Sequence, residues 1–242
     1  MRYGLSILSL LVLFLQGCTT SVTAPPYDAV DGFQGVPADS RLLVVPVTAN
    51  NKLYQPGRPV VAEMLEQELD GNYQVFMLEE GDFQRYWAAS AQQVGGFFSP
   101  VDGTFDRQRY LKSVRLFAKQ LNPDGRYDLI LFPALVDRTA ESKGRYAHWD
   151  GVRRRHSNKG MQLADARWHG TTRGLSLELN AFDGAGEWAF TTYGGLVLPY
   201  YYSMDGRVPE THIKKTLFAE TDHIHNGVSV AVRQFAASQP LE

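Results

Sequence analysis

The sequence predicts an α+β (mixed α/β) domain built on a mixed sheet of five or six strands with helices packed on it. Three observations predict it. Short apolar, β-branched runs alternate with helical periodicities between residues 41 and 136, the order of parallel strands joined by crossover helices. Beyond residue 136 the helical period gives way to polar and apolar alternation with tight-turn signals, the pattern of an antiparallel meander. A last amphipathic stretch then predicts a closing helix. The expected order is βαβα-αβ, then βββ, then α, within one domain over residues 40–242 of the 242-residue chain.

The elements follow in order. Leu42-Leu43-Val44-Val45-Pro46-Val47 has the unbroken apolar character of a strand covered on both faces. Pro59 opens a helix on which Val60, Val61, Met64, Leu65 and Leu69 recur at spacings of three and four until Gly71. The run 73–78 is the next strand, and the crossover between the two is expected to be right-handed. Asp82 is the expected cap of a second helix carrying Phe83, Tyr86 and Trp87, and Gly95-Gly96 end it. The stretch 95–103 reads as a loop. Asp106 then caps a long helix through Leu121, with Tyr110, Val114 and Phe117 on one side and a basic stripe of Arg107, Arg109, Lys112, Arg115 and Lys119 on the other. Asn122-Pro123-Asp124-Gly125 is a turn, and 127–136 is the most buried strand. Alternating segments near 144–153, 175–182 and 188–193 form the meander, the last two joined at Asp183-Gly184-Ala185-Gly186. The final helix is expected over 210–237, bent near Asn226-Gly227.

The first 39 residues have a different character. Arg2, an apolar run over 5–15 and Gly17 compose an export leader, and that run is shorter than the roughly 20 residues a membrane-spanning helix needs. Leu15-Gln16-Gly17-Cys18 resembles the lipobox of bacterial lipoproteins. The resemblance implies cleavage between Gly17 and Cys18, lipidation of Cys18, and membrane attachment on the extracytoplasmic side. Thr19, in place of an aspartate after the cysteine, implies the periplasm-facing side of the outer membrane. Cys18 is the only cysteine, so no internal disulfide is available to explain it. Residues 18–39, rich in Thr, Ala, Pro and Gly, read as a flexible tether. Loss of Arg2 with the leader (residues 1–17) takes the 24 basic residues to 23 against 26 acidic ones, a charge of −3 that gives no reason to expect nucleic acid.

The pattern over residues 40–237 also resembles the small α/β domains of periplasmic lipoproteins related to the curli-secretion lipoprotein and of the N-terminal domain of the Tol-system propeller protein. The opening strand, Leu69-Asp70-Gly71 before Tyr73-Gln74-Val75, and Tyr127-Asp128-Leu129-Ile130-Leu131 carry it. Such domains act in assembly, secretion or scaffolding. Pore formation is not implied, because the segment 143–173 holds seven Lys and Arg residues beyond Lys143 and alternates weakly, and charge on a lipid face costs roughly 2–4 kcal/mol at mid-bilayer.

Candidate chemistry is sparse. His223-Ile224-His225 has metal-ligand residue types, but on a helix the two rings diverge by about 200° and cannot close one site. His148 and Asp150 form a histidine–carboxylate pair that could act as a base, with His156 and His169 in the same basic segment, yet no nucleophile motif accompanies them. Arg153-Arg154-Arg155 marks an exposed loop or strand end able to meet phosphate, glycan or an acidic protein, since three successive guanidinium groups cannot all be buried. Tyr200-Tyr201-Tyr202, with Tyr193 and Pro199, is either a recognition surface or packing of the meander. Gly194-Gly195 lacks the Gly-Lys-Ser/Thr of a phosphate loop. The expectation is therefore a non-catalytic, membrane-anchored envelope lipoprotein without metal or cofactor, binding another protein; self-association stays open. The competing readings are a hydrolase or glycan-active enzyme using His148 and Asp150, and a cell-wall or lipid-binding module using 153–155.

Overall fold

Successive residues of a strand point to opposite faces, so a run that is apolar at every position demands cover on both sides. The computed structural model, which describes residues 27–156, 158–159, 168–203 and 210–236, supplies that cover. The chain runs through β1 (Tyr27–Ala29), β2 (Arg41–Val44), β3 (Thr48–Ala49), a 3-10 helix (Lys52–Gly57), α1 (Arg58–Asp70), β4 (Gln74–Met77), α2 (Glu80–Val94), α3 (Arg107–Leu121) and β5 (Leu129–Gly144). It continues with β6 (Tyr146–Trp149), β7 (Val152–Arg155), β8 (Asn158–Lys159), β9 (Trp168–Asp183), β10 (Trp188–Val197), β11 (Tyr200–Ser203), β12 (Glu210–Ile213) and α4 (Thr221–Arg233).

The main sheet follows the six-strand path β1-β10-β9-β5-β2-β4, with β3, β6 and β7 attached to it. β2 lies parallel to both β4 and β5, as the crossover order predicts, while β9, β10 and β1 add antiparallel strands. Leu42, Val44, Leu131, Leu177 and Leu179 face one way, into a core closed by α1 and α4. Leu43, Val45, Ile130, Phe132 and Phe182 face the other way, against α2 and α3. The domain is thus mixed α/β in three layers. Asp106 caps α3 as expected, its carboxylate accepting from the Arg109 amide at 3.0 Å.

Four expectations change. Residues 27–39, expected within the tether, belong to the folded body: β1 pairs with β10, Phe33 packs its ring against Phe190, and Val36 is buried and bridges to Ala236. Anchoring by isolated side chains leaves no periodicity to read. The second helix starts at Glu80, so Asp82 lies inside its first turn, with Glu79 in the cap position. The strand expected to end at residue 136 continues to Gly144 and pairs with β9 over all sixteen residues, from Leu129↔Asp183 to Gly144↔Trp168. Its second half alternates Asp137, Thr139, Glu141 and Lys143 with Arg138, Ala140, Ser142 and Gly144, and reads as polar because it leaves the helical layers. The expected helix over 210–237 is instead β12 followed, after a turn, by the shorter α4. Thr211, His212 and Ile213 pair across to the tyrosines of β11, which outweighs a weak helical period.

α4 crosses β10 at two glycines. A Cβ added at Gly194 would collide with the Gly227 carbonyl oxygen, and one at Gly227 would collide with the Gly195 carbonyl. Because the colliding atoms are backbone, no rotamer change relieves them. Gly194→Ala should therefore lower the free energy of unfolding by about 3 kcal/mol, read as a shift of the urea midpoint; an unchanged midpoint would mean that α4 is not seated there.

Candidate functional site

The β6–β7 hairpin is closed by Asp150-Gly151, both with positive φ (38° and 76°), between the paired residues Trp149 and Val152. Two such residues are what a tight two-residue hairpin turn requires. The hairpin has two unlike faces. Ala147, Trp149, Val152 and Arg154 turn inward, and His148, Arg153 and Arg155 are exposed, with Tyr146 half-buried beside them. Trp149 lies across Gly174 and Gly195, where a Cβ would come within 2.5 and 2.9 Å of its indole. The indole N–H donates to the Ser176 hydroxyl at 3.0 Å, and that hydroxyl donates to the Asp150 carboxylate at 2.7 Å.

The three arginines therefore do not form one patch, which corrects the expectation of an exposed run. Arg154 is 8% exposed. Its guanidinium donates to the carbonyls of Leu196 (3.0 Å), Gly195 (3.3 Å) and His223 (2.9 Å) and to the Asn226 amide oxygen (3.0 Å). One side chain thus ties β7 to the free edge of β10 and the first turns of α4. Burial holds its pKa below the ordinary guanidinium value, against the opposing attraction of Glu220. Strand alternation leaves Arg153 and Arg155 on the other face, with Arg153 over the Tyr146 ring at 3.6 Å.

His148 and Asp150 do not form a base. His148 stands on the exposed face, opposite Glu141 and Arg153 in the strand pairing. The Asp150 carboxylate is 7% exposed and takes an ion pair from Arg138 at 3.1 Å besides the Ser176 bond. His223 and His225 sit on α4 with different carboxylate partners, Glu220 and Glu68. Among the described residues, no group of three or more His, Cys, Asp or Glu side chains could hold a metal ion. Cys18 and Gly17 lie outside the described residues.

The tyrosine run is β11, and its side chains alternate. Tyr200 lies near the Tyr54 hydroxyl, Tyr202 lies 6.0 Å ring to ring from His156, and Tyr201 stacks on His212 across the strand pair at 5.2 Å. β7 leads through His156 into β8, and β8 pairs in parallel with β11 at Tyr202↔Asn158. The arginine strand and the tyrosine strand, distant in sequence, are thus linked through β8.

Beside Arg138, a polar network unseen in the sequence occupies the sheet face beyond α3. Arg138 covers the Tyr193 ring at 4.1 Å, Tyr193 hydrogen-bonds Glu178, Asn180 donates to Glu178, and Thr191 donates to Asn180 while accepting from the Trp188 indole. Burial, then the Glu178 charge, pushes the Tyr193 and Tyr110 hydroxyls up to about 12. Alternation along β9 contained the signal: Ser176, Glu178 and Asn180 occupy every second position between buried leucines.

No protein-family model matches the chain, and no curated protein matches it. Among solved structures, a substituted PelC dodecamer from Paraburkholderia phytofirmans matches over 87% of this chain and 98% of its own, at TM-score 0.37 and 9% identity. A second PelC dodecamer from the same organism matches over 88% and 96%, at TM-score 0.36 and 9% identity.

Two outcomes follow from this geometry. Arg154→Met should cost about 2–4 kcal/mol, because several acceptors lose their donor where little water reaches them, whereas Arg153→Ala should cost less than about 0.5 kcal/mol; equal urea midpoints would refute the division. His156 is buried, its Nε2 has no hydrogen-bond partner among the described residues, and burial lowers its pKa from the usual 6.5. The unfolded chain therefore binds a proton more readily than the folded one, so stability is full above the unfolded pKa and declines as pH falls below it. His156→Leu should flatten that decline, measured by denaturant titration between roughly pH 7 and pH 5.

Proposed function

We propose that the chain is a lipid-anchored envelope protein that acts by binding another protein, without catalysis of its own. The anchor reading rests on Leu15-Gln16-Gly17-Cys18 and the short apolar run before it. The binding reading rests on one observation, the exposed face of the β6–β7 hairpin. Arg153 and Arg155 project there beside Tyr146 and His148, while the opposite face of the same hairpin is packed to the body through Trp149 and Arg154. A charged face held by a buried one is presented with little freedom, which reduces the entropy lost on association.

Arginine and tyrosine are the residue types that dominate protein interfaces, because each joins apolar area to a polar group. An acidic partner suits this face, since Lys143, Arg145, Arg153 and Arg155 outnumber Glu141 on the segment. The groups that a base would need are engaged elsewhere: Asp150 holds Arg138 and Ser176, apart from His148. Localisation to the periplasm-facing side of the outer membrane belongs to the same proposal.

Arg153→Glu with Arg155→Glu should remove the protein that copurifies with the lipidated form from solubilised envelopes, while leaving the unfolding midpoint unchanged. A self-associating chain would show the same loss as a change in sedimentation. Cys18→Ser should leave the leader uncleaved and abolish lipid attachment, detected by mass. Retention of the partner by the double variant would end the binding reading, and a free thiol at Cys18 in the mature wild type would end the anchor.

A further inference from the structure

We infer that the hairpin between α2 and α3 is a second membrane contact, inserting its apolar tip into the interface of an anionic bilayer; this rests on the proposed lipid anchor. Five large hydrophobic side chains are exposed among the described residues, and three of them, Phe98 (61%), Val101 (93%) and Phe105 (54%), fall in this one hairpin. A soluble surface scatters such residues singly, and clustering them needs a reason.

The hairpin is built to hold that tip out. Phe98 bridges to Phe105, the Ser99 amide donates to the Thr104 carbonyl at 2.8 Å, and the Asp106 amide donates to the Phe97 carbonyl at 2.7 Å. Asp102 spends its carboxylate inside the turn, accepting from the Thr104 amide and hydroxyl. At the base, Phe97 turns inward against Trp87 and Tyr110. The sequence reads Phe97-Phe98 as an apolar pair, and the fold sends one ring to the core and the other to solvent.

Two further observations favour lipid as the occupant. The exposed face of α3, which leads out of the hairpin, carries Arg107, Lys112 and Lys119, cations that complement anionic headgroups, while Arg115 beside them is paired with Glu187. The eight residues 19–26 between the lipidated cysteine and Tyr27 keep the start of the folded body within about 30 Å of the bilayer.

The test uses the lipidated full-length mature protein carrying Val101→Cys, an exposed position whose substitution leaves the core intact. Lipid blocks Cys18, so the new thiol is the single site for an environment-sensitive dye. In vesicles of phosphatidylethanolamine and phosphatidylglycerol, the dye at 101 should shift to the blue and be quenched at least twofold by lipids brominated on the acyl chain. The same dye at Asp124→Cys, in the turn after α3, should remain aqueous. Vesicle-bound protein with equal responses at 101 and 124 overturns the hairpin contact and leaves the anchor standing. A shift at 101 in native envelopes but not in pure lipid vesicles overturns it in favour of a protein occupant. Protein that stays in the supernatant and takes up dye at Cys18 overturns the anchor, and the hairpin contact with it.

Discussion

The sixteen-residue ladder between β5 and β9 organises everything else in the molecule. Over its first half, from Leu129↔Asp183 to about Leu135↔Leu177, one set of side chains meets α1 and α4 and the other meets α2 and α3. Beyond Val136 the same two strands continue without a helix on the second face. Strands that leave their cover must either end or satisfy their surface in another way. Here the second face is furnished with Arg138, Ser176 and Glu178, and the β6–β7 hairpin folds back over it. The position of the hairpin, and so of the exposed arginines, is a consequence of how far the ladder runs.

Arg154 is the device that makes this arrangement hold. β10 is paired by β1 only from Phe190 to Thr192, so its last residues present carbonyls with no neighbouring strand. A strand in that place would need amide donors in register; a guanidinium needs only to arrive, and its fork of donors reaches two β10 carbonyls and two groups of α4. Burying a cation without a carboxylate is costly, and the converging carbonyl dipoles offset that cost. The neighbours of Arg154 gain from the same act, because strand alternation turns Arg153 and Arg155 outward once Arg154 is fixed inward.

The parallel part of the fold was legible because its signals are local and redundant. Leu42–Val45 is apolar at every position, α1 has a proline at its start, and Asp106 caps α3 where a cap residue meets a helical period. The parts that were not legible depend on partners far away in sequence. Tyr27, Phe33 and Val36 are ordered by Phe190, Phe235 and Ala236, and nothing near them in the chain announces it. β12 escaped because a four-residue strand beside a longer helical pattern is decided by the tyrosines opposite. Asp150-Gly151 is a local turn signal between two alternating segments, and the aspartate that could serve as an acid is there a turn residue. The exposure of three arginines followed from counting charge alone; burial of the middle one requires knowing that carbonyls wait for it.

The polar network on the uncovered face bears on what kind of function the geometry permits. Asp150 accepts from Arg138 and Ser176, Glu178 from Asn180 and Tyr193, and Thr191 is held between Trp188 and Asn180. Each group completes its neighbour, and hydroxyls whose pKa lies near 12 keep their protons throughout the physiological range. Such a network substitutes for apolar packing where no helix covers the sheet, and satisfied polar contacts of this kind fix its geometry. Rigidity at that level suits a surface that must be presented, which is why the proposed partner contact is assigned to the exposed hairpin face and not to the network beneath it.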